Sequence, residues 1–324
     1  MKRASGLGVH EVLCSFALVS AILCVRATTS AADDGSFSGA GAAVFPSQAD
    51  HVRMVGEEVV IERIPLSDRP YDCTVHGECV FVLENQGPGD SVLVGFPDFG
   101  SGSPDETTST PTLDSIRIWV DGDQISPRLV DLAREPNPFP AQRVGKYRVV
   151  SYVRVYIWSV YFAPVESKVL RTEYWHGPSG SVESHWDVLY VLVTGASWAG
   201  PIGKVVVRVR PAGMIPITLR SSYDDKSRAP WRRVGDDYVW TSQDVEPAED
   251  LYLSFRDPRW DLANLAREWR EWIALPYKRR LGNRHFILPG LGFDSYYWAE
   301  IAKMLPDSLA DARDYILAEN REWE

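Results

Sequence analysis

Four side chains that often bind metal ions surround one Gly-rich turn at residues 177–180. If this turn pairs His176 with Ser181, the two-residue repeat of a strand places four ligands on one sheet face: His176, Glu183, His185 and Asp187. Two imidazoles and two carboxylates are a ligand set that zinc or another divalent metal accepts, with a position left for a hydrolytic water. A polar sheet face in contact with water is the alternative interpretation, and it needs no cofactor.

Tryptophan is unusually frequent, with 12 residues in the chain. Flat aromatic rings offer sugar rings a large contact area and lose little rotamer entropy on binding. Three tryptophans are therefore candidate contacts for a glycan: Trp175, Trp186 and Trp198. The alternative is that these rings fill the core of a sandwich, which for Trp198 would anchor its Gly- and Pro-rich turn.

Two cysteines, Cys73 and Cys79, lie beyond the first 32 residues. An isolated pair in an oxidising compartment predicts one disulfide, and two separate thiols are the alternative. A serine nucleophile is not predicted, because Ser179 and Ser181 lack the G-x-S-x-G pattern that leads into a helix. No catalytic residue is assigned from the sequence.

Apolar residues alternate with polar ones over most of the chain, which predicts a mainly β fold of antiparallel β-sandwich-like domains. Residues 79–83 and 92–96 flank a turn at 85–90 and predict a hairpin. After Asp257 the repeat becomes helical, with Asp257 or Asp261 as the cap and Pro276 as the end. The pattern continues with two more helices, so a C-terminal helical region is expected.

Changes in composition divide the chain further. Three prolines within residues 133–143 indicate a linker between two domains, and small residues near the N-terminus indicate a flexible segment. The predicted order is a signal peptide at 1–32, a flexible segment at 33–43, a first β domain at 44–132, the linker at 133–143, a second β domain at 144–257 and helices at 258–324.

Residues 1–32 have the pattern of a secretory signal peptide. Lys2 and Arg3 precede an apolar run at 12–25, and small residues end at Ala32. The run is too short to span a bilayer, so the cleaved protein is expected to be secreted or periplasmic and not an integral membrane protein. The whole chain has a net charge of −10, and losing this basic segment makes it more negative, which disfavours nucleic acid as a partner.

Two phrases resemble landmarks of a bacterial exported β-rich domain of unknown function. The first runs from Gly39 to Pro97 and contains Met54, Glu57 or Glu58, and a V-x-F-P strand; the second is the YVLVTGASWAGPIG stretch at 190–203. Members of that family sometimes carry a helical module of the YARHG type. Residues 280–293 are similar to it at Asn283 and Phe286 and lack its Ala-Arg-His-Gly core. The resemblance implies export and no particular activity.

Together these features predict an exported cell-envelope protein with a non-enzymatic binding or structural role, and a glycan or a protein as its partner. No cofactor is expected in that case. The alternative is a metal-dependent hydrolase that uses the ligand set of the 172–187 hairpin, with a divalent metal as its cofactor.

Overall fold

The computed structural model describes segments that all belong to one compact unit, Ser36–Glu324. They comprise residues 39–42, 45–47, 49–66, 73–98, 113–132, 134–136, 138–139, 142–144, 148–150, 154–179, 185–217, 219, 230–274 and 295–321. The predicted signal peptide, the YARHG-like stretch and Glu183 lie outside these residues.

The largest element is an eight-stranded sheet. Its strands, in chain order, are β3 (Val52–Pro65), β4 (Cys73–Asn85), β6 (Leu113–Val120), β7 (Asp123–Ile125), β12 (Ser167–Ser179), β14 (Ile202–Arg210), β16 (Arg232–Val234) and β17 (Asp237–Val245). In space they follow the order β16-β17-β14-β3-β4-β12-β6-β7, and every neighbouring pair is antiparallel except β14 with β3. Buried and half-buried residues alternate along the whole of β4, as the two-residue repeat of a strand requires.

Two four-stranded sheets accompany the large one. The first has the order β2-β5-β11-β8, with β2 (Phe45–Pro46), β5 (Asp90–Pro97), β8 (Arg128–Asp131) and β11 (Arg154–Phe162). The second has the order β1-β13-β18-β15, with β1 (Gly39–Ala42), β13 (His185–Val191), β15 (Ile215–Pro216) and β18 (Leu251–Arg256). A further pair joins β9 (Gln142–Val144) to β10 (Arg148–Val150). β1 lies within the segment that was predicted to be flexible.

One hydrophobic core joins the inner face of the large sheet to both smaller sheets. It contains Phe81 from β4, Phe96 from β5 and Phe255 from β18, all of them fully buried. Direct contacts cross between the sheets, since the ring of Tyr174 lies 5.5 Å from that of Phe96. The mainly β, sandwich-like fold is therefore confirmed.

The pairing of strands differs from the prediction at two places. β4 and β5 do not form a hairpin, because β4 pairs with β3 and β12 while β5 pairs with β2 and β11. Asn85 turns the chain from one sheet to the other, with its buried amide donating to the carbonyls of Pro88 at 2.7 Å and Ala163 at 2.9 Å. Strands from both sides of residues 133–143 share the large sheet, so the predicted linker does not separate the sheets.

Three helices follow the last strand, as the change of period predicted: α1 (Pro258–Ala274), α2 (Ser295–Met304) and α3 (Ala310–Arg321). Their apolar sides form a second core that includes Leu265, Ile301 and Ile316 and reaches Ile215 of β15. Asp257 caps α1 by accepting the backbone N–H of Arg259 at 2.9 Å. Asp261 has a different role, because its carboxylate binds Arg256 at 2.6 Å. None of the helices within the described ranges is long and apolar enough to cross a membrane.

The turn from β11 to β12 holds a valine in an unfavourable backbone conformation. Val165 has a φ of 57° and is exposed, in a turn where the Glu166 N–H donates to the Ala163 carbonyl. Branching at Cβ makes this left-handed region costly, whereas glycine enters it freely. Val165→Gly is therefore expected to raise the free energy of unfolding by about 1 kcal/mol, measured by denaturant titration. Val169→Gly, on the strand that follows the turn, is the control and should lower the free energy of unfolding. A loss of stability in both variants would contradict the assignment of strain to Val165.

Candidate functional site

The outward face of the large sheet carries aromatic and charged side chains over four adjacent strands. We call it the aromatic face; it consists of Glu62 on β3, His76 and Glu78 on β4, Arg171, Glu173 and Trp175 on β12, and Arg117 and Trp119 on β6. Strand alternation points these residues away from the core, because their neighbours along each strand supply the buried side chains.

Trp175 is the centre of one cluster on this face. The register places it beside His76, and the two rings stack with centroids 4.7 Å apart and planes inclined by 23°. The guanidinium of Arg117 lies 5.0 Å from the centroid of the indole. The carboxylate of Glu173 lies 3.2 Å from His76 Nε2 and 3.8 Å from Arg117, so it connects both neighbours of the indole.

Trp119 is the centre of a second cluster. Its register partner on β12 is Arg171, whose guanidinium lies 4.4 Å from the centroid of the indole. Arg171 Nε also donates to Glu78 at 2.5 Å. Such cation–π contacts at partly exposed sites are worth about 0.5–1 kcal/mol each, which is small enough for a ligand to replace them.

The two clusters are separated along the strands. Trp119 faces Arg171, which precedes Trp175 by four residues on β12. With about 3.3 Å per residue, the backbone positions of the two tryptophans are about 13 Å apart along the strand direction. The arrangement is two indoles on a sheet face, each with a guanidinium group over its ring and with carboxylates nearby. An extended ligand that replaced the guanidinium groups would meet two aromatic surfaces with hydrogen-bonding groups beside them.

Of the three tryptophans predicted to contact a ligand, Trp175 lies on this face. Trp186 is buried and stacks on Phe255 at 5.2 Å, and Trp198 is buried in the main core. In this fold both rings lie in the hydrophobic core and not on the aromatic face. The sequence did not lead us to predict three residues of this face: Trp119, Arg117 and His76. A signal for two of them was present, because Arg117 and Trp119 are two residues apart on β6 and therefore share one face of the strand.

The predicted metal ligands are not brought together by a hairpin. His176 is buried at the end of β12 in the large sheet, whereas His185 and Asp187 lie on β13 in a smaller sheet. His185 Nε2 lies 2.7 Å from Arg256, and Asp187 accepts a hydrogen bond from Tyr252 at 2.8 Å. In the part of the chain that the structure describes, no group of three His, Cys, Asp or Glu side chains has the geometry of a metal site.

The two cysteines share one face of β4, with both side chains buried. They are six residues apart on a continuous strand, so about 20 Å separates their Cα atoms. A disulfide tolerates at most about 7 Å. The predicted bond between Cys73 and Cys79 therefore does not fit this strand.

Glu57 is an acid in the core and not on the aromatic face. It is 1% exposed, accepts a hydrogen bond from the Tyr190 hydroxyl at 2.5 Å, and leaves Oε2 without a partner among the described residues. Burial raises the pKa of Glu57 to about 7, and the hydrogen bond from Tyr190 partly offsets this rise. Its neighbour Glu58 is exposed, so strand alternation gives two adjacent glutamates opposite environments.

Comparison with known proteins adds to the description of the fold. No protein-family model matches the sequence, and no curated protein matches it either. A candidate nutrient binding protein of Legionella pneumophila is similar in structure, with 18% identity and a TM-score of 0.55 over 86% of this chain and 97% of that one. An M1 zinc metallopeptidase of Deinococcus radiodurans matches with 11% identity and a TM-score of 0.29, over 64% of this chain and 42% of that one, which supports no inference. The described fold is thus shared with the Legionella protein over nearly all of its length.

Proposed function

We propose that the chain is an exported cell-envelope protein that binds an extended glycan on the aromatic face. The observation that carries the proposal is the pair of outward-facing indoles, Trp175 and Trp119, each with a guanidinium group over its ring that a sugar ring would replace. The signal-peptide pattern of residues 1–32 supports an extracytoplasmic location. The fold shared with a candidate nutrient binding protein also favours binding over catalysis.

The chemistry of the face fits sugars. The C–H side of a pyranose ring packs on an indole, while its hydroxyl groups need planar donors and acceptors close to the ring. Arg117, Glu173 and His76 supply such groups around Trp175. Arg171 and Glu78 supply them around Trp119. Because the face offers both hydrogen-bond donors and acceptors, it can bind the hydroxyl groups of an uncharged polysaccharide.

Calorimetric titration with cellotetraose, chitotetraose and maltotetraose tests this function. Saturable binding of at least one tetrasaccharide is expected, and Trp175→Ala and Trp119→Ala should each weaken it by about tenfold because each removes one stacking surface. The double variant should bind no tetrasaccharide measurably.

Trp260→Ala is the matched control, since Trp260 is 46% exposed on α1 and lies outside the aromatic face. It should leave the affinity unchanged. Two results would contradict the proposal: no binding of any of the three sugars, or equal affinity in the wild type and the Trp175→Ala/Trp119→Ala double variant.

A further inference from the structure

Glu173 lies midway between the two indoles of the aromatic face. On β12 it follows Arg171, the register partner of Trp119, by two residues, and it precedes Trp175 by two. Strand alternation gives the side chains of residues 171, 173 and 175 the same outward direction. The side chain of Glu173 is 15% exposed, the lowest value among the charged groups of this face. Its carboxylate is therefore partly removed from water, and a charge that pairs with it is weakly screened.

The two oxygens of this carboxylate have different neighbours. Glu173 Oε1 lies 3.2 Å from His76 Nε2, within hydrogen-bond distance. Oε2 faces two guanidinium groups, that of Arg117 at 3.8 Å and that of Arg171 at 3.9 Å, and both ion pairs are too long for a hydrogen bond. Within the described part of the chain, Oε2 accepts no hydrogen bond. This oxygen is therefore an available acceptor for a donor group that belongs to a ligand.

Of the two guanidinium groups, that of Arg117 is the more easily displaced. Arg171 donates to Glu78 at 2.5 Å and has a side chain that is 39% exposed. The side chain of Arg117 is 57% exposed, and among the described residues its one ion pair is the long contact with Glu173. Moving Arg117 off the Trp175 ring breaks this contact and one cation–π contact, while its charged end gains water. The Trp175 ring is therefore the surface that a sugar reaches most easily.

Replacing Arg117 by a neutral sugar would leave this face with an excess of negative charge. The face contains three carboxylates, those of Glu62, Glu78 and Glu173, against two guanidinium groups. An ammonium group on the sugar would restore the displaced charge and could donate to Glu173 Oε2 at a hydrogen-bond distance that Arg117 does not reach. In an amino sugar such as glucosamine, the amino group lies at the edge of the ring, so the apolar C–H side stays available for the indole.

We propose that the glycan bound by the aromatic face is a polysaccharide with free amino groups, one of whose sugar rings replaces Arg117 on Trp175 and donates from its ammonium group to Glu173 Oε2. This inference rests on the proposed function, because it assigns a ligand class to the same face. A hydrogen bond between charged groups is about twice as strong as a neutral one, which favours an amino sugar over its acetylated form. The net charge of −10 on the whole chain also attracts a cationic polymer. A cationic peptide shares that charge but lacks the rigid ring that stacks on an indole.

Calorimetric titration of the full chain at about pH 6, where amines are protonated and exposed glutamates are ionised, tests this inference. Tetraglucosamine should bind at least about tenfold more tightly than chitotetraose, which is its N-acetylated form. The same difference is expected from cellotetraose, which has hydroxyl groups in place of the amino groups. Tetralysine carries ammonium groups without sugar rings and should bind at least about tenfold more weakly than tetraglucosamine.

Glu173→Gln removes the charge of this side chain and keeps its shape. The variant should bind tetraglucosamine about tenfold more weakly than the wild type and chitotetraose within about twofold of it, so that the preference for free amino groups disappears. Glu246→Gln is the matched control, because it removes the same charge from an exposed residue that follows β17 and lies outside the aromatic face. It should keep the wild-type preference.

The possible results separate this inference from the proposed function. Equal affinity of the wild type for tetraglucosamine and chitotetraose overturns the inference and leaves glycan binding by the aromatic face intact. A preference that persists in Glu173→Gln overturns it as well, and so does tetralysine binding as tight as that of tetraglucosamine, which would indicate a cationic peptide as the ligand. If circular dichroism shows that Glu173→Gln does not fold, the comparison of ligands on the wild type decides. Absence of binding by all the tetrasaccharides contradicts the proposed function itself.

Discussion

Replacing Gly77 with alanine is expected to lower the free energy of unfolding by about 3 kcal/mol, as overpacking of a rigid core does. Gly77 is the register partner of Tyr174, and a Cβ atom on Gly77 would lie 1.9 Å from Tyr174 Cζ. The tyrosine cannot move aside easily, because its ring is fully buried and packs against Phe96. This strand position therefore requires glycine, because the tyrosine ring occupies the space that a Cβ atom would need.

Chemical denaturation of paired variants measures this effect. Gly56→Ala is the matched control, because a Cβ there would meet its nearest atoms, on Val82, at an ordinary 3.6 Å. It should be neutral or slightly stabilising. In a Tyr174→Leu background, Gly77→Ala should cost less than about 1 kcal/mol, since the ring that causes the clash is gone. Equal stability of Gly77→Ala and Gly56→Ala in the wild-type background would show that the strand tolerates the methyl group.

The second large effect is a dependence of stability on pH that comes from Glu57. Its pKa rises from 4.5 to about 7 on folding, because burial disfavours the carboxylate form. Between these values the unfolded chain has released a proton that the native protein still holds. The contribution of Glu57 to the free energy of unfolding is therefore fully present below about pH 4.5. It is lost, by about 3 kcal/mol in all, as the pH rises from there to about 7, and above that pH Glu57 is ionised in both states.

Denaturant titrations over that pH range, made on the wild type and on Glu57→Gln, test this contribution. Glutamine keeps the shape of the protonated acid and does not ionise, so the fall of about 3 kcal/mol should disappear and the variant should exceed the wild type in stability near pH 8. Glu58→Gln, the exposed neighbour on β3, should keep the wild-type pH dependence. If Glu57→Gln kept the wild-type pH dependence, the fall in stability would come from another group and the prediction would be wrong.

Local pattern was enough to predict the elements of this fold. The two-residue repeat identified the strands around Val52–Ile61 and Val205–Val209, and the switch to a helical repeat after Asp257 identified the C-terminal helices. These predictions succeeded because alternation and helical period depend on which side of a single element is buried. Neighbours along the chain determine that side, so a single sequence contains the information.

The choice of strand partners was not predictable in the same way. The sequence around Gly177–Ser179 suggested a hairpin with His176 and His185 on one face, but β12 pairs with β4 and β6, and β13 pairs with β1 and β18. A strand that can bury one face has many acceptable partners, and contacts distant in sequence decide among them. The same holds for Cys73 and Cys79, whose separation depends on the continuity of β4.

The sequence by itself determined that this chain is mainly β, ends in helices, and carries aromatic and charged residues in alternation. Only the tertiary structure decided which of them meet, as Trp175 does with Arg117 and His76 on the aromatic face. The physical reason is that this face is built across strands far apart in the chain. Its geometry depends on sheet register and on packing between layers, which no local pattern encodes.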